Sequence, residues 1–360
     1  MTIIEIGKRA KETAFTLGQM STPQKNKGLM AAAQALLAHA DEIIEKNEID
    51  MQRGRERGLK SGLLDRLQLN RSRIEGMADG IMQILNLEDP IGGVDEMKQR
   101  PNGLLIGRKR VPLGVVGVIY EARPNVTSDV FALCFKTGNA AILKGGSDAI
   151  ESNKIIVSVI REALKEAGLP EDALQLIEAT DHETTKEFMR CHKYVDVLIP
   201  RGSARLIQTV VENSTVPVIE TGSGNCHIFV DESADLDMAL DIIYNAKTQR
   251  IGVCNACESI VVHKAVVENL MPLLVARLAD KAVEIRGDEA ACAAASGIVA
   301  ATEEDWGTEY LDYILSAKTV SNIDEAIAHI NRYNTGHSEA IITKDYDHAQ
   351  QFLNEVDAAA

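Results

Sequence analysis

Between residues 115 and 219, short apolar segments alternate with stretches of helical periodicity. The apolar segments predict strands at 115–119, 140–143, 174–177, 195–199 and 216–219, and the stretches between them predict helices at 127–136, 148–167, 182–189 and 204–211. Parallel neighbours in a sheet need a crossover connection, so this alternation predicts a parallel, doubly wound α/β domain. Such an architecture is typical of dinucleotide-binding domains, although a fold alone does not identify a ligand.

The segment before this domain, about a hundred residues long, favours helices. Thr2 and Glu5 have the spacing of a capping box, and Thr22-Pro23 predicts an N-cap followed by proline at the first helical position. Residues 24–50 carry apolar side chains at helical spacing. Residues 104–106 and 111–118 predict two strands separated by a basic segment, which suggests a flap over 103–119 that faces an oligomer interface.

A second α/β region is predicted to begin near residue 226. It has predicted strands at 227–230 and 258–262 and predicted helices at 236–246 and 265–282. We therefore expect a cofactor-binding domain over 1–225 and a catalytic domain over 226–360.

The charge balance argues against nucleic acid as a partner. The chain has 38 Lys and Arg against 53 Asp and Glu, a net charge of −15, and its basic runs are short. No apolar run reaches the roughly 18 residues of a membrane span, and the N-terminus lacks the apolar core of a signal peptide. The six cysteines are sparse and irregularly spaced, which favours reduced thiols in a cytoplasm.

The segment KTQRIGVCNACE (247–258) lies between a predicted helix and a predicted strand. A cysteine on such a loop can act as a nucleophile if a nearby cation or helix N-terminus supplies thiolate. Cys254 and Cys257 could instead be buried small apolar residues, a redox pair or half of a zinc site. Zinc would need two more ligands at regular spacing, and a redox pair normally follows a thioredoxin-like strand. The segment alone leaves these alternatives open.

Three further segments follow predicted strands and can carry chemistry. Asn125 can donate an N–H to an oxyanion, although Pro-Asn is also a common turn. In LKGGS (143–147), glycines and a helix start can accept a phosphate, although Gly-Gly is often only a turn. In IETGSGN (219–225), a glycine-rich loop carries Glu220, which could also be a solvated surface carboxylate.

The order and wording of these segments resemble the gamma-glutamyl phosphate reductase family within the aldehyde dehydrogenase superfamily. The matching segments are EARPNVTSD (121–129), LKGGSDA (143–149), VLIPRGSARLI (197–207), ETGSGNCHIFVD (220–231), NAKTQRIGVCNACES (245–259) and VSNIDEAIAHINRYNTGHSEAI (320–341). The resemblance runs along the whole chain. Members of that family continue for several tens of residues beyond this end, so their C-terminal part is expected to be absent here.

The resemblance implies a role for each matching residue. Cys254 matches the nucleophile, and Asn125 matches the oxyanion donor, with the backbone N–H of Cys254 as its partner. Glu309 matches the glutamate that holds the nicotinamide ribose. Other cofactor contacts are expected at Lys144, Gly145, Ser147, Gly202 and Ser203. Glu220 matches a carboxylate that activates water in hydrolytic relatives, so a proton-transfer or positioning role is expected here.

A net charge of −15 would repel an anionic substrate, so cations are expected at the pocket. Arg123, Arg250 and Lys247 lie close in sequence to Asn125 or Cys254, and each could instead be a solvated surface charge. Arg123 is the strongest of these candidates because it follows a buried strand beside Asn125.

The resemblance implies an NADPH-dependent, cytoplasmic reductase of proline biosynthesis. It would convert L-glutamyl 5-phosphate into L-glutamate 5-semialdehyde and phosphate through a thioester on Cys254. NADPH is expected because Ser147 stands where NAD-preferring relatives carry a ribose-binding glutamate. A homo-oligomer and a contact with glutamate 5-kinase are further expectations. The alternatives are a hydrolytic, NAD-linked aldehyde dehydrogenase and a non-catalytic, truncated form that acts in assembly.

Overall fold

A computed structural model of the protein describes residues 1–59, 61–220 and 224–360. The chain forms two compact units, Met1–Thr221 and Gly222–Ala360, and each is considered by itself. None of the described helices is both long and apolar enough to cross a membrane.

The first unit opens with helices, as predicted in general for this part of the chain. They are α1 (Ile3–Leu17), α2 (Thr22–Ala38), α3 (Ala40–Glu56), α4 (Ser61–Leu67) and α5 (Arg71–Asn86). The capping box of Thr2 and Glu5 is confirmed. The N-cap of α2 is Ser21 rather than Thr22, and its backbone N–H donates to Gln24 Oε1 at 2.9 Å. The periodic run over 24–50 is divided at His39 into two helices.

The predicted flap is a β-hairpin, but its strands are not those expected. It pairs β1 (Val94–Gln99) with β2 (Leu105–Lys109) in antiparallel register, and every residue of both strands is exposed. Residues 111–114 belong to no strand. Strand β1 was not predicted because its polar sequence, VDEMKQ, lacks the apolar alternation of a half-buried strand.

The predicted parallel, doubly wound sheet of the first unit is confirmed. Its strands are β3 (Val115–Tyr120), β4 (Ala140–Gly145), β5 (Leu174–Leu176) and β6 (Val197–Arg201), in the order β5-β4-β3-β6. All of the pairings are parallel. The crossovers contain α6 (Asn125–Lys136), α7 (Ile150–Glu166) and α8 (His182–Met189), and α9 (Ala204–Asn213) follows β6.

The strand expected at 216–219 is reduced to one parallel bridge between Leu198 and Val218. Pro217 lies beside this bridge and has no backbone N–H, so it cannot donate to a longer ladder. The sheet therefore ends at β6.

The second unit is also built on parallel strands. In chain order it contains β7 (Cys226–Val230), α10 (Leu236–Thr248), β8 (Cys257–His263), α11 (Lys264–Leu278), β9 (Glu284–Gly287), α12 (Glu289–Ala294), β10 (Val299–Ala300), β11 (Ile314–Val320), α13 (Ile323–Tyr333), β12 (Ala340–Ile342) and α14 (Tyr346–Glu355). The strand order is β10-β9-β11-β8-β7-β12. Helix α11 ends four residues before the predicted position 282, where Ala282 adopts a left-handed φ of 51°.

Candidate active site

The carboxyl ends of the parallel strands in the first unit carry most of the predicted cofactor contacts. The chain leaves β3 in one direction to form β4 and β5, and it returns on the other side of β3 to form β6. The crevice beyond β3 and β6 is therefore a topological switch point, where open α/β sheets bind their ligands. Residues 121–124 follow β3, residues 146–147 follow β4 and residues 202–203 follow β6.

A carboxylate that the sequence analysis did not select holds the loop after β6. Glu121 accepts hydrogen bonds from the backbone N–H of Ser203 at 2.8 Å and from its hydroxyl at 3.1 Å. The same hydroxyl accepts from Leu206 N at 3.3 Å and caps α9. A Cβ at Gly202 would lie 2.6 Å from Glu121 Oε2, so glycine permits this contact. In this arrangement Ser203 is a helix cap, and its cofactor contact remains a prediction.

Lys144 is a buried cation at the end of β4. It is 3% exposed, and its Nζ donates to the Gly145 carbonyl at 3.2 Å. Burial lowers the pKa of the Lys144 ammonium, and the charge of Asp181 opposes that shift. Among the described residues, no carboxylate forms a salt bridge with it. Its remaining donors fit an anionic or hydroxyl-bearing ligand, as a cofactor contact requires.

Asn125 is the first residue of α6 and is half-buried. Its side-chain Nδ2 donates to Asp129 Oδ2 at 3.0 Å. Burial raises the pKa of Asp129, and the hydrogen bond from Asn125 opposes the shift. An amide carries two N–H donors and this bond uses one, so a second donor remains for a ligand. Arg123 is half-buried two residues earlier, and Glu220 is exposed at the end of the described first unit.

In the second unit, Cys254 lies on the turn between α10 and β8 and is half-buried. Its carbonyl accepts a hydrogen bond from the Cys226 thiol at 3.3 Å. A Cβ at Gly224 would come 1.4 Å from that carbonyl oxygen, so only glycine allows the two backbones to approach so closely. The N–H of Gly224 donates to Glu309 Oε1 at 2.9 Å. Gly224 therefore brings the predicted nucleophile and the predicted ribose ligand to one place.

Residues 221–223 of the glycine-rich segment IETGSGN lie outside the described residues, so the structure leaves that part of the prediction untested. Gly224 and Asn225 of the same segment are described. Asn225 is buried, and its amide donates to the carbonyls of Trp306 and Tyr333 at 2.8 Å each. This amide joins the short 3-10 helix that precedes Glu309 in sequence to the C-terminal end of α13.

Cys257 is buried, whereas Cys254 is only half-buried. Cys257 is 1% exposed on β8, and its thiol donates to the Ser259 carbonyl at 3.3 Å. Burial strongly raises the pKa of the Cys257 thiol. A thiol in such surroundings is inert. Among the described residues, no group of His, Cys, Asp and Glu could hold a metal ion.

Lys247 and Glu258 form a fully buried ion pair at the two ends of the segment that contains Cys254. Lys247 Nζ lies 2.6 Å from Glu258 Oε2, and neither side chain is more than 1% exposed. Burial raises the pKa of Glu258 to about 7, although the charge of Lys247 opposes the shift. The other oxygen of Glu258 accepts from Leu311 N at 3.2 Å. This arrangement does not fit the predicted substrate contact of Lys247, because its ammonium already has a buried partner.

The pair also connects the turn with the segment that carries Glu309. Leu311 has a left-handed φ of 52°, which is unfavourable for a residue with a Cβ. Its hydrogen bond to Glu258 contributes to holding that conformation. Arg250 lies on the turn itself. Its side chain is exposed, in contrast to the buried Lys247 and the half-buried Arg123.

Comparisons with known proteins show the family. The profile described as "Aldehyde dehydrogenase family" matches residues 2–311. The chain belongs to this family. A gamma-glutamyl phosphate reductase from Lachnospira eligens is 58% identical over 99% of this chain and 86% of its own length. One from Agathobacter rectalis is 57% identical over 97% of this chain and 84% of its own length.

Solved structures extend the comparison to the fold of this aldehyde dehydrogenase family member. The crystal structure of gamma-glutamyl phosphate reductase from Thermotoga maritima superimposes with a TM-score of 0.93 at 48% identity, over all of this chain and 87% of that one. A propionaldehyde dehydrogenase from Clostridium phytofermentans has a TM-score of 0.73 at 18% identity, covers 99% of this chain and 86% of that one, and shows the fold alone. The predicted membership among the gamma-glutamyl phosphate reductases is confirmed.

The burial of the two thiols predicts selective alkylation. In the folded protein, iodoacetamide should modify Cys254 far faster than Cys257, because the reagent needs an accessible thiolate and Cys257 is only 1% exposed. Peptide mass spectrometry after brief labelling measures both positions. Cys257→Ala serves as the control and should leave the labelling of Cys254 unchanged. Equal labelling of the two thiols in the folded protein would contradict the assignment.

The buried ion pair predicts a large effect on stability. Lys247→Met leaves the Glu258 carboxylate buried without its cation and should cost about 3–5 kcal/mol of unfolding free energy. Denaturant titration followed by circular dichroism measures the loss. The double variant Lys247→Met, Glu258→Leu removes both charges and should recover most of it, since a well-packed apolar pair replaces a buried ion pair at little cost. A double variant as unstable as the single one would show that charge pairing is not the cause.

Proposed function

We propose that this protein reduces L-glutamyl 5-phosphate to L-glutamate 5-semialdehyde with NADPH, through a thioester on Cys254. The observation that carries the proposal is the position of Cys254 on a turn beside Gly224, whose N–H donates to Glu309. The neighbouring Cys257 is buried in the sheet. The similarity to gamma-glutamyl phosphate reductases supports the substrate. The reaction would be a step of proline biosynthesis.

The Cys254 thiolate attacks the acyl carbon of the substrate. A carbon–sulfur bond forms, the bond between that carbon and the phosphate oxygen breaks, and phosphate leaves with the electron pair. Bound NADPH supplies the hydride that reduces the thioester. The resulting thiohemiacetal then releases the aldehyde and returns the thiolate. The covalent intermediate divides one difficult substitution into easier steps.

The negative charge that develops on the acyl oxygen needs fixed donors. Asn125 keeps the side-chain N–H that its bond to Asp129 leaves, and the resemblance assigns the role of oxyanion donor to it and to the backbone N–H of Cys254. Arg123 and Arg250 are the candidate cations for the anionic groups of the substrate. Glu220 is exposed and has a positioning or proton-transfer role rather than that of a base for water, because hydrolysis would destroy the thioester.

The cofactor is held in our proposal by the loops after β4 and β6 and by Glu309. Lys144 offers a buried cation without a carboxylate partner among the described residues. A Cβ at Gly145 would lie 2.4 Å from Asn153 Nδ2, and one at Gly202 would lie 2.6 Å from Glu121 Oε2, so neither position has space for a side chain. Ser203 and Ser147 complete the set. Ser147 brings no negative charge against a 2′-phosphate, which favours NADPH over NADH.

The assembly and location of the protein are further parts of the proposal. The hairpin of β1 and β2 exposes the apolar side chains of Val94, Met97, Leu105 and Ile106, and exposed apolar side chains of this kind suit contact with a second copy of the chain in a homo-oligomer. The six cysteines are free thiols, as expected for a cytoplasmic protein. A contact with glutamate 5-kinase remains a prediction from the resemblance.

The reverse reaction tests the proposed function. We expect the protein to form NADPH from NADP⁺ when both L-glutamate 5-semialdehyde and phosphate are present, as followed by NADPH absorbance. Cys254→Ala should abolish the reaction, and Cys257→Ala should change it little. Turnover that needs no phosphate would indicate a hydrolytic aldehyde dehydrogenase. The absence of turnover in the intact protein would favour the non-catalytic alternative.

We expect Asn125→Ala to lower kcat by a factor of about 10²–10³, the typical cost of removing one oxyanion donor. The KM for NADPH should change little, and steady-state kinetics measures both. Asp129→Ala is the matched control, because it removes the partner of Asn125 but leaves the amide in place. If both variants lose the same activity, Asn125 acts by stabilising the start of α6 and is not an oxyanion donor.

A further inference from the structure

One face of α3 is attached to the start of α7 through polar contacts. Asn47 Nδ2 donates to Ser152 Oγ at 3.0 Å. One turn later, Asp50 accepts from the backbone N–H of Ser152 at 2.8 Å, from its hydroxyl at 2.7 Å and from the N–H of Glu151 at 3.3 Å. Asn47, Asp50 and Ser152 are completely or almost completely buried. These contacts fix α3 rigidly against the chain that follows the LKGGS segment.

The contacts of Asp50 change the expectation for phosphate binding at this helix. The N–H groups at the start of a helix ordinarily attract an anion. Here a buried carboxylate already accepts from the N–H groups of Glu151 and Ser152, and its negative charge would repel a phosphate. A phosphate bound near Ser147 therefore needs a cationic side chain.

Lys144 at the end of β4 is one such cation, and the same face of α3 supplies a second at its C-terminal end. Arg57 Nη1 lies 3.0 Å from Asp148 Oδ1 and 3.5 Å from Ser147 Oγ. The guanidinium uses only Nη1 for its hydrogen bonds within the described part of the chain, and its side chain is 54% exposed. An arginine has five N–H donors in a planar fork, so Nε and Nη2 can still serve a ligand.

We propose that Arg57 and Ser147 form the subsite for the 2′-phosphate of NADPH. This inference rests on the proposed use of NADPH and adds a cation from α3 to the loop after β4. The ion pair with Asp148 orients the guanidinium, and the phosphate binds its outward donors and the Ser147 hydroxyl. NADH lacks this phosphate, so Arg57 adds to the preference for NADPH that Ser147 permits.

Arg53 is a control for Arg57, because a purely structural role of Arg57 predicts the same effect when either arginine is replaced. Arg53 lies one turn earlier on α3, pairs with Glu151 at 3.6 Å and is 46% exposed. Both arginines therefore carry a cation near the helix C-terminus and bridge α3 to the same region. Only Arg57 contacts Ser147. Arg53→Leu is thus the matched control for Arg57→Leu.

Binding of 2′,5′-ADP to the full chain, measured by calorimetry, tests the subsite without turnover. Arg57→Leu should weaken this binding about tenfold or more, as expected for the loss of a charge-assisted hydrogen bond. Binding of 5′-AMP, which lacks the 2′-phosphate, should not change, and Arg53→Leu should leave both affinities unchanged. Arg57→Gln keeps donors for Asp148 and Ser147 but not the charge, and it should show the same selective loss if Arg57→Leu fails to fold.

Three outcomes would overturn the subsite. They are unchanged 2′,5′-ADP binding in a folded Arg57 variant, an equal loss for 5′-AMP, and an equal loss in Arg53→Leu. The ratio of kcat/KM for NADPH to that for NADH should fall by a similar factor in Arg57→Leu. A wild-type protein that reduces nothing with either cofactor would refute the proposed function, whereas the binding comparison would still decide the role of Arg57.

Discussion

Parallel strand pairing is the constraint on which the rest of this structure depends. In the first unit β3 pairs with β4 and β6, and in the second unit β8 pairs with β7 and β11, all in parallel register. Each pairing requires a crossover, so the carboxyl ends of the strands in a unit lie at one edge of its sheet. Lys144 at the end of β4 and the loop after β6 that carries Ser203 both lie at that edge in the first unit, and their position follows from the order of the strands.

Within this frame, small residues and buried polar groups set the details of each unit. Gly224 lets its backbone lie against the carbonyl of Cys254 while its N–H donates to Glu309. The buried ion pair of Lys247 and Glu258 joins the two ends of the segment that contains this turn, and Glu258 also accepts a hydrogen bond from the backbone N–H of Leu311. In the first unit, Asp50 accepts hydrogen bonds from the backbone N–H groups at the start of α7. These buried charges lie at positions that fix a functional loop. The free-energy cost of removing each charge from water is offset by its specific hydrogen-bond or ion-pair partners.

The sequence was sufficient to predict what periodicity and short motifs encode. The alternation over 115–211 predicted β3 to β6, and the resemblance selected Cys254 and Asn125 as candidates. The hairpin strand β1 was missed because its residues are all exposed and polar. The pairing of Lys247 with Glu258 was missed because no local pattern links a helix end to the next strand across eleven residues. Asp50 lies a hundred residues from its partners, and only the tertiary fold brings them together.

The most direct test of the account is a pre-steady-state measurement without phosphate. The protein is mixed with L-glutamate 5-semialdehyde and excess NADP⁺, and NADPH formation is followed by stopped-flow absorbance. We predict a burst of about one NADPH per Cys254, because the thioester accumulates when no phosphate can accept the acyl group, and turnover should resume when phosphate is added. A burst that persists in Cys254→Ala, or steady turnover without phosphate, would contradict an acyl-enzyme on Cys254 that is released by phosphate.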